Sequence, residues 1–134
     1  MSHENQQNMR RIWVEGLCNG DLSVIDELVA PGFIYHSNTE NIGVEGAKQI
    51  ARLFKSGFPD VEIHVEDQMS VKDKVISRIR ITGTHTDAFG DIAATNHRID
   101  VRAISIARFE GGKVVEEWEA IDQLGMFQQL GVIQ

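Results

Sequence analysis

Cysteine occurs once in the 134 residues, as Cys18, so no disulfide can form within the chain. Proline occurs only twice, at Pro31 and Pro59, and each reads as a stop after a helical stretch. Basic residues are in deficit: 13 Lys and Arg stand against 20 Asp and Glu, for a net charge of −7. They form no block, which argues against nucleic acid, whose recognition needs a clustered basic face. No run approaches the roughly 20 apolar residues that span a bilayer. The opening "MSHENQQNMRR" is polar and lacks the apolar stretch of a signal peptide. Repeats, low-complexity stretches and linkers are absent too. What remains is one domain, 1–134, with residues 1–8 as a flexible tail, no membrane association and a cytoplasmic location expected.

What is present is a change of period. Met9, Ile12, Trp13 and Leu17 recur at helical spacing. Gly20 breaks that pattern, and Asp21 can cap a second helix carrying Val24, Ile25, Leu28 and Val29. "FIYH", residues 33–36, reads as a short strand, and "NTENIG" as loop. Ala47, Ile50, Ala51 and Phe54 mark a third helix. From Val61 the alternation has period two. Strands are expected at 61–71, 75–85, 98–110 and 113–122, with Gly111 and Gly112 as a hairpin turn. Leu124, Phe127 and Leu130 predict a last short helix, with Gly131 as its left-handed cap. Helices first and an antiparallel meander second give an α+β fold, three helices covering one face of a curved sheet.

A two-residue turn at 111–112 sets a register that pairs Ser105 with Trp118 and Val101 with Asp122. Charges then assign the faces. Trp118, Asp122, Val101, Ala103, Ser105, Ala107 and Phe109 point inward. Glu117, Glu119, Ile121, Arg102, Arg108, Ile104 and Ile106 point outward. Val75, Ser77, Ile79, Ile81 and His85 share the inward side of the preceding strand. Small residues opposite a large Trp on a concave face predict a cavity. Asp122 and His85 are expected near one end of it.

"GTHTD", "FIYH" and above all "RAISIARFEGGKVVEEWEAIDQLGMFQQLG" resemble the SnoaL-like polyketide cyclase family, within the nuclear-transport-factor-2-like superfamily. The resemblance runs from about Ile12 to the end. It implies a cone-shaped α+β fold around a cavity. It also implies that Asp122 is a general acid/base, working without metal or cofactor on an intramolecular aldol closure. The loop "DIAATNHR" departs from the Pro-Thr-Gly-like segment common in the family, and it borders the expected cavity mouth.

Asp122 has two readings, since Asp is also a favoured N-cap for the helix that follows. His85 is a candidate for proton partner or oxyanion donor, with core packing as its plainer role. The resemblance implies that His36, at the end of the short strand, faces the cavity as a further catalytic candidate. Trp118, Ser105 and Ile81 are candidate substrate-binding residues. His97 falls in the loop at the mouth, His64 on a solvent face and His3 in the tail. No HxxxH, HxH or CxxC spacing suggests a metal site. The expected activity is proton abstraction and ring closure on a small apolar carbonyl compound, of the lyase or isomerase type. A proton-moving isomerase, a hydrolase and a non-catalytic small-molecule-binding module are the alternatives. The outer sheet face, apolar with a charged rim, predicts a homodimer.

Overall fold

A computed structural model describes residues 2–37 and 40–133. The helical half consists of α1 (Ser2–Arg11), a seven-residue π-helical segment (Ile12–Cys18), α2 (Ser23–Leu28) and α3 (Val44–Gly57). The sheet is built from β1 (Val29–His36), β2 (Asn41–Ile42), β3 (Glu62–Val71), β4 (Lys74–Thr84), β5 (Arg98–Glu110) and β6 (Lys113–Ile121), and α4 (Gln123–Leu130) follows. The strand order is β2-β1-β6-β5-β4-β3.

Several expectations need correction. Residues 2–8, expected as a tail, belong to α1, and Met1 lies outside the described residues. The "NTENIG" loop contains the two-residue β2, while Asn38 and Thr39 lie outside the described residues. Val29 opens β1 rather than closing α2. β1 runs parallel to β6, so the sheet is mixed rather than wholly antiparallel. The register of that pair shifts between Val29 and Ile34, which is where a strand can tolerate Pro31 without losing a ladder bond.

The core lies between the helices and one sheet face. Along β5, Val101, Ala103, Ser105, Ala107 and Phe109 are all buried, and the intervening residues are not. Val75, Ser77, Ile79 and Ile81 of β4 do the same. Met9, Trp13, Ile25, Leu28 and Ala51 cover them from the helical side. Among the described residues no helix is long and apolar enough to cross a membrane.

The decisive local feature is a bulge. Phe109 pairs with Val114 as the turn dictates, but Arg108 then pairs with Glu116, leaving Val115 as an extra residue on β6. Because side chains alternate with period two, one extra residue exchanges the faces of everything beyond it. Ser105 therefore opposes Glu119, Ile106 opposes Trp118, and Ala103 opposes Ile121. Trp118 lies on the outer face. Glu117, Glu119 and Ile121 lie on the inner one.

Candidate active site

The exchange of faces brings two carboxyl groups under the helices. A cavity of ≈ 80 Å³ is walled by Met9, Ile12, Trp13, Phe33, Ala47 and other apolar side chains, with Tyr35, Glu117 and Glu119 as its ionisable groups. A second cavity of ≈ 50 Å³ shares Trp13, Leu17, Ile50 and Glu119 with the first. It extends along Ile79, Ile81 and Ile121.

Both acids are held by hydroxyl donors. Ser105 Oγ donates to Glu117 Oε2 at 2.7 Å. Tyr35 Oη donates to Glu119 Oε1 at 2.8 Å. Tyr35 reaches this position because β1 runs beside β6, with Tyr35 level with Glu117. Only 9% of the surface of Glu117 is exposed. Burial, and then the charge of Glu119, push its carboxyl up to about 8, against the opposing pull of Ser105. Burial also raises Glu119, and the Tyr35 hydroxyl opposes that rise. Tyr35 itself is driven far above the usual phenol range by burial and by Glu119, so it stays a donor. The carboxyls titrate as a unit. The charge of Glu119 is among the causes that raise Glu117, so the proton is held more firmly on Glu117 and Glu119 is the first of the two to ionise. A proton donor and a proton acceptor thus share one apolar cavity.

The expected site residues are distributed differently. Asp122 is exposed and outside both cavity linings. It is the N-cap of α4, with Oδ1 accepting from the Gly125 amide at 2.9 Å. A side chain at Gly125 would collide with the Asp122 carboxylate, which is why glycine suits the third helical position. Trp118 forms part of the outer face, stacked on His36 with ring centroids 5.1 Å apart. His36 Nε2 meets Glu116 at 2.7 Å, and its neighbour Tyr35 is the residue that points inward. Ser105 is on the inner face beside Glu117, and Ile81 lines the smaller cavity.

His85 is fully buried but outside both cavity linings. Thr95 N–H donates to its Nδ1 at 3.2 Å, which leaves the ring proton on Nε2. His85 N bonds His97 O, Asn96 N bonds His85 O, and the ring stacks on Phe58 at 5.1 Å. Its position is that of an anchor for the 86–97 loop. His97 Nδ1 pairs with Gln129 O on α4, and His64 Nε2 with Thr82 Oγ1. Among the described residues no group of three or more His, Cys, Asp or Glu is placed to hold a metal ion.

A register set by the turn alone places Glu117 and Glu119 on the outer face, and it gives no role to Tyr35 of β1. One signal was available. "EEWE" puts acids on both parities of a strand, so at least one must face inward in any register.

The model of the SnoaL-like polyketide cyclase family matches residues 7–130. Among solved structures, a presumed polyketide cyclase of Bacillus cereus is 32% identical, with 97% of this chain and 80% of that one covered and a TM-score of 0.79. AclR of Streptomyces galilaeus, described as a presumed hydroxylase, is 25% identical over the full length of both chains, with a TM-score of 0.89. IdmH of Streptomyces antibioticus, a presumed polyketide cyclase, is 25% identical, with 95% of this chain and 98% of that one covered and a TM-score of 0.83. An epoxide hydrolase-like protein of M. tuberculosis, 13% identical with a TM-score of 0.75, shares the fold. Among curated proteins none matches the chain.

Proposed function

The chain belongs to the SnoaL-like polyketide cyclase family, with its nuclear-transport-factor-2-like α+β fold, and from that premise we propose a general acid/base enzyme for a carbonyl compound. The observation that carries the reading is the buried pair Glu117 and Glu119, each held by a hydroxyl donor, in an apolar cavity. Paired carboxyls with separated proton affinities divide the acid and base roles.

In this reading a carbonyl oxygen accepts a hydrogen bond from the protonated Glu117. The Glu119 carboxylate takes a proton from the adjacent carbon. The enolate carbon attacks a second carbonyl of the same molecule, forming the ring bond. Glu119 then returns its proton to the new alkoxide, and both acids are back in their starting states. No atom is gained or lost, and the pair supplies both proton-transfer roles, so the reaction as written needs no cofactor. Acid/base action of this kind contributes roughly 10² to 10⁴ in rate. If the proton returns to carbon instead, the same pair gives an isomerase.

The test is α-proton exchange into deuterated water, followed by NMR on small diketones. Exchange by the wild type that Glu119→Gln abolishes and Asp122→Asn keeps supports the reading. Binding without exchange by the wild type would make the domain a receptor for apolar small molecules.

The outer sheet face retains Ile104, 52% exposed, and Ile106 within a rim of Arg102, Arg108 and Glu116. We propose that it pairs two copies of the chain. A monomeric mass by light scattering at micromolar concentration would reject this.

A further inference from the structure

The sheet crosses the donors that hold the two acids. Ser105 lies opposite Glu119 in the β5–β6 ladder, yet its hydroxyl donates to Glu117. Tyr35 lies level with Glu117 in the β1–β6 ladder, yet its hydroxyl donates to Glu119. Each donor reaches diagonally past one acid to hold the other. Diagonal neighbours on one sheet face stay within reach of aromatic and long side chains.

The two donors differ in strength. A phenol is a stronger acid than an alkyl alcohol, so it makes the stronger hydrogen bond to a carboxylate. A hydrogen bond to the ionised form favours that form. Every packed element otherwise presents apolar groups: Met9 of α1, Trp13 of the π segment, Ile25 of α2, Ile50 of α3, Phe33 of β1 and Ile79 of β4. Tyr35, Glu117 and Glu119 are the only ionisable residues in the two linings among the described residues. The difference between the acids is therefore left to their donors and to each other.

We propose that Tyr35 is the positioning residue that makes Glu119 the base of the pair. Its phenol occupies Oε1 of Glu119, which leaves Oε2 to take the proton, and it keeps Glu119 the first of the two to ionise. Without that phenol the two acids exchange their order. The role of base rests on the acid/base reading; the order of ionisation does not. The directions agree. Burial raises the Glu119 carboxyl and the Tyr35 hydroxyl pulls it down. Tyr35 stays a donor throughout, because burial and Glu119 hold it far above the usual phenol range.

The chain has a single tyrosine, so this contact can be altered by itself. Carbon-13 NMR follows the carboxyl carbons of both acids through a pH titration, with Glu117→Gln and Glu119→Gln to assign them. In the wild type the Glu119 carbon should move in the first step and the Glu117 carbon in the second. Tyr35→Phe removes one oxygen, keeps the ring and should reverse that order. Ser105→Ala should keep the order and widen the interval between the steps. 3-Fluorotyrosine supplied to the cells enters at Tyr35 alone and makes a stronger donor, so it should move the first step to lower pH. It keeps the test open where Tyr35→Phe fails to fold. Glu117 ionising first in the wild type, an unchanged order in Tyr35→Phe, or a first step that fluorination does not lower overturns the proposal.

Exchange of the methyl protons of 2,3-butanedione in deuterated water separates this inference from the acid/base reading. At a pH between the two wild-type steps, Tyr35→Phe should exchange about tenfold more slowly than wild type, or slower still. Undiminished exchange by Tyr35→Phe also overturns the role of Tyr35. The expected reversal of order with no exchange by the wild type would sink the acid/base reading alone. Exchange by the wild type with the order unreversed would sink the role of Tyr35 alone.

Discussion

β5 and β6 are neighbours in one sheet, yet they obey different rules. β5 alternates buried and less buried residues from Ile99 to Phe109 with no interruption. Its arginines all fall on the open face, and its inner face has a single polar residue, Ser105. β6 loses its parity at Val115, and beyond that point its inner face carries two carboxyls. β5 is a strand organised by burial. β6 accepts buried charge, which costs several kcal/mol per ion when unpaired. A local rule broken in this way marks the place where function displaces stability.

The severest way to break the comparison is to insert one residue directly after Val115. The bulge absorbs one extra residue, so a second one reverses the parity of everything beyond it. Glu116 and Trp118 would face the helices, while Glu117, Glu119 and Ile121 would turn outward. Repacking of that extent should exceed the 5–15 kcal/mol of a typical domain. Loss of the cooperative thermal transition by circular dichroism is the expected outcome. Deleting Val115 should do far less, since Arg108 still meets Glu116 and every later pair keeps its face. A well-folded insertion mutant would show that the face assignment is not held by the count of residues at the bulge.

Next in size is the contrast between the two inner acids of β6 and the cap that follows that strand. Glu119→Gln should lower turnover by about 10² or more. Asp122→Asn should leave it unchanged, because Asn caps a helix about as well as Asp. Steady-state rates on any small diketone that undergoes exchange decide between them.

The third prediction concerns pH. The carboxyl of Glu117 is raised to about 8 in the folded chain, above its unfolded value, so the folded state holds the extra proton. Its contribution to stability is intact below the unfolded value and is lost as pH rises toward 8, by about 1.4 kcal/mol per pH unit for one proton. Glu117→Gln should therefore gain melting temperature relative to wild type, and the gain should be larger at pH 8 than at pH 5. Wild-type activity should fall above about pH 8, where the pair loses its remaining proton. A melting-temperature difference independent of pH would show that Glu117 is already ionised at pH 5.

The smallest effect belongs to the cap itself. Asp122→Ala should cost about 1 kcal/mol, as N-cap removals commonly do. Gly125→Ala attacks the same cap from the other side, since the new methyl meets the Asp122 carboxylate. Urea denaturation midpoints measure both.

These contrasts also show what could be read in the sequence. The period change at Val61, the hairpin at Gly111 and Gly112, and the inner faces of β4 and β5 follow from patterns local to a few residues. The parallel pairing of β1 with β6 does not, because nothing within "FIYH" says which strand it will meet. The bulge is equally silent: Val115 is an ordinary β-branched residue in an ordinary strand. With the parity misplaced, each inference built on it moves to the wrong face, and Trp118 takes the place opposite Ser105 that Glu119 holds. Asp122 was legible in its plainer role, since an Asp before an apolar helical run is a cap signal. Ser105 and Ile81 were placed on the inner face because β4 and β5 carry no bulge.

The central position of β6, between β1 and β5, also governs how the domain is born. The hairpins from β3 to β6 join segments adjacent in the chain, and they can form as each is synthesised. β1 can meet β2 at once, but it is made long before β6 exists. It must wait, with Phe33 and Tyr35 unplaced, until β6 emerges beside it. The Tyr35–Glu119 hydrogen bond bridges 84 positions, so it is a late event in the chain's history. The reactive pair is thus completed only as the sheet closes, and until β6 docks beside β1 its acids are solvated and inert.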